Sequence, residues 1–174
     1  MICQTRMTID IIPIAEEHAA GFHACLDAVA REKRYLAQIE ALPLERIEAF
    51  VRNGVKSNAA QYVALDGGTV VGWCDIFPDW ASAVAHCGGL GMGVLAAYRG
   101  RGIGTQLITA TLAHARRQGL MRIELEVRID NLAAIRLYER VGFAHEGRKR
   151  NRLRFDGVTF DALVMGLLFD AAST

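Results

Sequence analysis

The chain has 174 residues, 52% of them apolar, and a formal charge of +1 at pH 7. That length suits one compact domain with a real core and is short for two, so residues 1–174 are expected to form a single domain. A charge this close to zero supplies no global field for nucleic acid or an anionic membrane surface, and no apolar window approaches the length of a membrane span.

Four cysteines, Cys3, Cys25, Cys74 and Cys87, stand far apart with no CxxC spacing, which signals neither a zinc site nor a disulfide framework. No metal is expected. The first residues hold no basic segment followed by an apolar h-region, so the expectation is a cytoplasmic protein with reduced thiols. Met7 competes with Met1 as the start, because the first strand pattern begins at Thr8.

Thr8 to Ile14 is β-branched and reads as a strand closing at Pro13. Glu16 to about Arg31 places Ala19, Phe22, Leu26 and Val29 at helical spacing. A charged link, Glu32 to Tyr35, leads to a second helix over Pro43 to Arg52, with Leu44, Ile47, Phe50 and Val51 inward and a stop near Asn53-Gly54. The period then changes to two: Tyr62 to Leu65, a turn at Asp66-Gly67-Gly68, and Thr69 to Phe77 predict an antiparallel hairpin broken by Pro78. His86 to Leu95 is a strand with an unusual load of four glycines, 88, 89, 91 and 93, which suggests close approach of a ligand to its backbone.

Thr105 to Gln118 reads as a helix ending at Gly119. In the next strand Met121, Ile123, Leu125 and Val127 alternate with Arg122, Glu124, Glu126 and Arg128. A central strand of an α/β sheet is normally apolar on both faces, so this charged face calls for an explanation. A short helix over Leu132 to Val141 and two closing strands, Phe143 to Glu146 and Phe160 to Leu168 around a basic loop, complete a mixed α/β order.

Tyr98-Arg99-Gly100-Arg101-Gly102-Ile103-Gly104 lies between the glycine-rich strand and a helix. The first amides of a helix have no carbonyl partner and carry the positive end of its dipole, so a glycine turn into a helix favours a phosphorylated ligand. Two phosphate-binding patterns fail on detail: no Gly-Lys-Ser/Thr follows as a P-loop requires, and the glycines fall late in the chain as GxGxG rather than on the first strand of a βαβ unit.

Arg99-x-x-Gly102-x-Gly104 resembles the acetyl-CoA pyrophosphate loop of the GCN5-related N-acetyltransferase (GNAT) superfamily. A second block, Glu126 to Asp130 followed by Asn131-x-x-Ala134-Ile135-x-Leu137-Tyr138-x-x-x-Gly142-Phe143, is similar to that family's strand, CoA-contacting Asn and Tyr helix. The resemblance implies an α/β (α+β) GNAT fold: a mixed sheet of six to seven strands, its parallel central pair splayed, flanked by about four helices. It implies acetyl-CoA as cosubstrate, with Met92, Gly93, Val94 and Leu95 holding the pantetheine and thioester. Amides of Arg99, Gly100, Arg101, Gly102, Ile103, Gly104 and Thr105 hold the pyrophosphate, and Asn131, Ala134 and Tyr138 also contact the cosubstrate.

Transfer to an amine needs a neutral nucleophile, an oxyanion stabiliser and a proton for the leaving thiolate. By the resemblance, Tyr138 is the acid. Glu126, twelve residues before it as in ribosomal-protein alanine acetyltransferases, is the base. Glu124 competes on the same face. Histone-type members place a glutamate where this chain has Gly88, and His86, two residues earlier, is a candidate relay. The resemblance further implies that Trp73, Asp75, Glu32 to Tyr35 and the basic loop (Arg148, Lys149, Arg150, Arg152, Arg154) line the acceptor side, the last as a grip for an anion or as a solvated hairpin. Asp156-Gly157 with Asp161 and Met165 resembles phosphinothricin-type enzymes, so a free amino acid or related small amine is the first expectation for the acceptor and a protein N-terminus the second. A noncatalytic acyl-CoA sensor is the rival class, and a homodimer is compatible with the pattern.

Overall fold

The computed structural model describes residues 8–169, so Cys3 and Met7 lie outside the described residues. Seven strands form one sheet: β1 (Ile9–Pro13), β2 (Ala60–Asp66), β3 (Thr69–Pro78), β4 (Cys87–Val94), β5 (Arg122–Arg128), β6 (Ala144–Phe155) and β7 (Val158–Leu168), in the spatial order β1-β2-β3-β4-β5-β7-β6. Among the described residues four α-helices accompany it: α1 (Ala19–Arg31), α2 (Leu44–Lys56), α3 (Ile103–Arg117) and α4 (Leu132–Arg140). Every neighbouring pair is antiparallel except β4 and β5. This is the mixed, centrally splayed sheet with four helices that the resemblance implies.

Strand alternation sorts the core into two layers. Cys74 and Ile76 of β3 and Ile123 and Leu125 of β5 pack with Leu107 and Ile108 of α3 on one face. Val63 of β2 and Val70 and Trp73 of β3 pack with Phe22, Val29 and Val51 of α1 and α2 on the other. Each such fully buried side chain is worth about 1.5–3 kcal/mol. The hairpin between β2 and β3 turns on Gly67 and Gly68, both at positive φ (54° and 89°), the two-residue turn that matches strand twist.

Three sequence expectations are corrected. Helix α2 runs through Asn53-Gly54 to Lys56, because Gly54 keeps helical geometry and its missing Cβ makes room for the Gln61 side chain. Leu44 and Phe50 remain partly open, at 37% and 36% exposure, while Ile47 and Val51 are buried. The basic loop is itself strand: β6 extends to Phe155 and turns at Asp156 and Gly157 (φ 46° and 86°). Its charges hid the period of two, since β6 is an edge strand with irregular register and almost every side chain exposed, a protected edge in physical terms.

Candidate active site

The site begins where a ladder stops. β4 and β5 pair only at Cys87–Arg122, Gly88–Ile123 and Gly89–Glu124. From Leu90 onward the β5-facing edge of β4 has no strand beside it, and its backbone groups, apart from the Val94 carbonyl, which accepts from the Arg99 side chain, are available to something inserted in the gap. At that point lies a cleft of ≈ 260 Å³, walled by Gly89 and Leu90 of β4, Glu124 to Glu126 of β5, Lys149 of β6 and Val164 of β7.

The glycines of β4 divide into two kinds. A Cβ at Gly88 would stand 2.8–2.9 Å from Ile76 and Leu120, one at Gly93 would collide with the Trp73 ring, and one at Gly91 would lie 3.0 Å from the Asp75 carboxylate. Those three make room for neighbouring side chains. Gly89 alone of the four faces open space.

At the far end of the gap the chain turns into α3. Gly100 and Gly102 have φ of 75° and 79°, a conformation that side-chain-bearing residues rarely adopt, and Gly102 caps α3 without a side-chain hydrogen bond. The first helical bond runs from the Gln106 N–H to the Gly102 carbonyl, so the amides of Ile103, Gly104 and Thr105 stand free of intrahelical partners. Gly104 lets the helix sit close, with Leu137 and Met92 3.2 and 3.5 Å from where its Cβ would be.

Arg99 has a different occupation from its neighbours. Its Nε donates to the Val94 carbonyl (2.8 Å), its terminal nitrogens grip Glu32 in a two-pronged pair (2.6 and 2.9 Å), and it stacks over Tyr35 at 4.6 Å. Its side chain ties the end of β4 to the end of α1, and its own N–H donates to the Ala96 carbonyl at 3.3 Å. Sequence carried no sign of this tie, because Glu32 lies 67 residues away.

Asn131 caps α4, its side chain accepting from the Ala134 N–H at 3.3 Å. Tyr138 is 7% exposed, with Phe143 at 5.8 Å and the Cys74 thiol among its neighbours. Cys74 pairs with Met92 in the β3–β4 ladder, so the phenol lies at the level of the gap. Among the described residues its hydroxyl has no hydrogen-bond partner, and burial raises its pKa above the ordinary phenol value, so it is a protonated donor at neutral pH.

The charged face of β5 is explained by what covers it. Helices α1 and α2 lie over β2, β3 and β4, leaving Glu124 and Glu126 at the cleft. Arg122 donates to Glu124 (2.7 Å) and grips Glu146. Arg128, 6% exposed, pairs with Asp130 (2.5 Å) and lies over Phe160 at 4.2 Å. Glu126 is held by Lys149 and by Arg152 (2.6 Å); burial raises its pKa, but these hydrogen bonds outweigh that and hold the carboxyl below its usual value.

His86 stands apart from this group. It occupies an exposed turn before β4, on the paired side of Gly89, where its carbonyl accepts from the Met121 and Arg122 amides (2.8 and 3.3 Å). Asp75 of β3, by contrast, lies directly across from Gly91 at the parting of the strands, and burial pushes its carboxyl up to about 7. The pattern of alternation gave its face; nothing in sequence gave its desolvation.

A family model described as the acetyltransferase (GNAT) family matches residues 22–143, the stretch that carries the gap, the α3 turn and α4. The chain belongs to the GNAT acetyltransferase family. Among relatives of this GNAT chain, the N-alpha-acetyltransferase RimI of Mycobacterium tuberculosis is 40% identical over 102 residues, 59% of this chain and 61% of that protein. N-alpha-acetyltransferase 30 of Schizosaccharomyces pombe is 35% identical over 88 residues, 50% of this chain and 59% of that protein. The matched part thus spans about three fifths of each relative's length. A phosphinothricin acetyltransferase from Sinorhizobium meliloti, solved with acetyl-CoA, shares the fold with a TM-score of 0.88 at 16% identity, covering 97% of this chain and 92% of that one.

Proposed function

We propose that this GNAT chain is an acetyl-CoA-dependent N-acetyltransferase whose acceptor is a primary amine, namely the α-amine at a polypeptide N-terminus. The observation that carries the reading is the parting of β4 from β5 at Gly89, between the free amides of α3 and a cleft lined with carboxylates. Acetyl-CoA would supply the thioester. The amides of Ile103, Gly104 and Thr105 would bind its pyrophosphate, the loop from Gly100 to Gly102 would shape the cradle, and the open edge of β4 from Met92 to Leu95 would hold the pantetheine arm. Asn131 and Ala134, at the first turn of α4, would also contact the cosubstrate. Tyr138 would donate its phenolic proton to the departing sulfur. Glu126, kept ionised by Lys149 and Arg152, would attract the acceptor's ammonium into the cleft.

The polypeptide acceptor is favoured by the two N-alpha-acetyltransferases among the relatives. A free amino acid is the second reading, favoured by the cations of β6, two of which already hold a carboxylate at the cleft. Thiol release from acetyl-CoA, measured on short peptides with free and blocked N-termini and on free amino acids, decides between them. Peptides with free termini are expected to exceed free amino acids at least tenfold in kcat/KM. The reverse order would move the assignment to a small molecule, and CoA binding without turnover on any amine would make the protein a sensor.

A further inference from the structure

Two carboxylates flank the parting of the strands on the same face of the sheet, and only one of them is tied up. Gly89 pairs with Phe77 on one side and with Glu124 on the other. Two residues further along the three strands stand Asp75, Gly91 and Glu126, in one row on the face toward α1 and α2. Asp75 and Glu126 are therefore two strand spacings apart, ~10 Å and widening as the strands part. Between them is Gly91, which has no side chain to fill the space.

Their surroundings differ in kind. Trp73 and Phe77 flank Asp75 on its own strand; Phe22 packs on Trp73 at 5.7 Å, and Phe50 packs on Phe77 at 5.0 Å. Charged groups on the packed elements are engaged elsewhere. On α1, His23 bonds the Leu42 carbonyl and Asp27 pairs with Arg31; on β5, Glu124 pairs with Arg122, and Glu126 with Lys149 and Arg152. The charged side chains of α2 are exposed, β4 offers only glycines on this face, and the residue opposite on β2 is Gln61. Among the described residues Asp75 has no hydrogen-bond or ion-pair partner. Asp75 is nevertheless only half-buried as a residue, and its Oδ1 reaches to 3.0 Å from where a Gly91 Cβ would stand.

We propose that Asp75 is the proton acceptor of the reaction, taking a proton from the acceptor's ammonium at the parting of the strands beside Gly89 and Gly91. The inference rests on the acetyl transfer proposed above. An α-ammonium has an ordinary pKa of about 8. Passing its proton to a carboxyl near 7 is uphill by about tenfold, whereas passing it to one held below the usual glutamate value is uphill by far more. Asp75 thus suits proton removal and Glu126 suits attraction of the cation. In balance, the ammonium N–H bond breaks and its proton joins an Asp75 oxygen. The freed lone pair forms the N–C bond to the acetyl carbon as the C–S bond breaks. Tyr138 gives its proton to the sulfur, and the second proton lost by the new amide nitrogen restores the phenol. Asp75 then releases its proton to water.

The test compares Asp75→Asn with Glu126→Gln in the full chain. For the unsubstituted enzyme, kcat/KM should rise with pH through about 7. Asp75→Asn should lower kcat/KM at pH 7.5 by about a hundredfold or more and abolish that limb, with acetyl-CoA affinity within twofold; Glu126→Gln should keep the limb. A limb that survives in Asp75→Asn, or disappears in Glu126→Gln, overturns the proposal. A second readout needs no turnover: the ¹³C carboxyl resonance of Asp75 should titrate near 7 and shift on addition of alaninamide. Titration near the ordinary aspartate value, or no response to alaninamide, also overturns it. If no amine were turned over at all, the acetyl-transfer reading would fall while this resonance still decided whether Asp75 meets an amine.

Discussion

Asp75 and Glu126 are the same chemical group placed on the two strands that flank the parting at β4, and the fold treats them oppositely. On β3, Asp75 stands between Trp73 and Phe77, which pack on Phe22 of α1 and Phe50 of α2, and it has no counter-ion among the described residues, so desolvation dominates and the acid form is favoured. On β5, the long edge strand β6 brings Lys149 and Arg152 to Glu126, and their hydrogen bonds outweigh its burial. A carboxylate's role in a site is therefore set by the element packed above it rather than by its residue type.

The largest effect expected from this contrast is on stability. In the unfolded chain an aspartate titrates near 3.8 and in the fold Asp75 titrates near 7, so between those values the native state holds a proton that the unfolded state has lost. Stability must then fall as pH rises from about 4 to about 7. Asp75→Asn removes the penalty. It should stabilise the protein at pH 8 by on the order of 2 kcal/mol, the full shift being discounted for the residue's remaining exposure. For a chain of this size that is about 4–8 °C in Tm, with almost no difference at pH 4. A Tm difference that stays flat between pH 4 and 8 would show Asp75 to be solvated and would break the contrast. A stabilising substitution that removes activity is the expected trade at a site that keeps an unpaired acid under apolar cover.

A smaller effect should follow from making the two strands alike. Replacing Lys149 and Arg152 together by alanine leaves Glu126 with its burial and without its cations, so its pKa should rise. In an Asp75→Asn background this double change should recover activity by about three- to tenfold, read as kcat/KM at pH 8. No recovery, or a further loss, would mean that the ion pairs position the cleft rather than tune Glu126.

The two strands also differ in how much of them sequence disclosed. The GNAT loop and α4 were legible because their geometry is set by backbone and local residue order: Gly102, the free α3 amides and the Asn131 cap all follow from it. The charged face of β5 was legible as an anomaly, and the structure resolves it as an uncovered face. The Lys149 and Arg152 clamp on Glu126 was hidden, because it depends on β6 being strand and on a register with two irregularities that no periodicity announces. Glycine spacing misled in part: Gly88, Gly91 and Gly93 make room for Ile76, Asp75 and Trp73, contacts set by the β3 register and invisible along the chain. The strand neighbours of Asp75, Trp73 and Phe77, are covered by Phe22 and Phe50 from two helices far away in sequence, so burial of this kind emerges only once the layers are assembled.

The smallest expected effect is the stability cost of Glu126→Gln. The Glu126 side chain is about one third exposed and its partners about one half, so solvent screens these pairs. Loss of such exposed pairs costs typically under about 1 kcal/mol. The pKa of Glu126 is depressed in the fold, so its contribution is present above the ordinary glutamate value of 4.5 and is lost as pH falls through the lower folded value. The denaturant midpoint of Glu126→Gln should therefore sit slightly below that of the parent at pH 7, merge with it toward pH 3, and approach it in 1 M salt as screening shortens to about 3 Å. Set beside Asp75→Asn, which gains stability with rising pH, the two substitutions should shift stability in opposite directions at pH 8. Shifts of the same sign would mean that both carboxylates share one electrostatic environment, and the division of labour between the two strands would have to be abandoned.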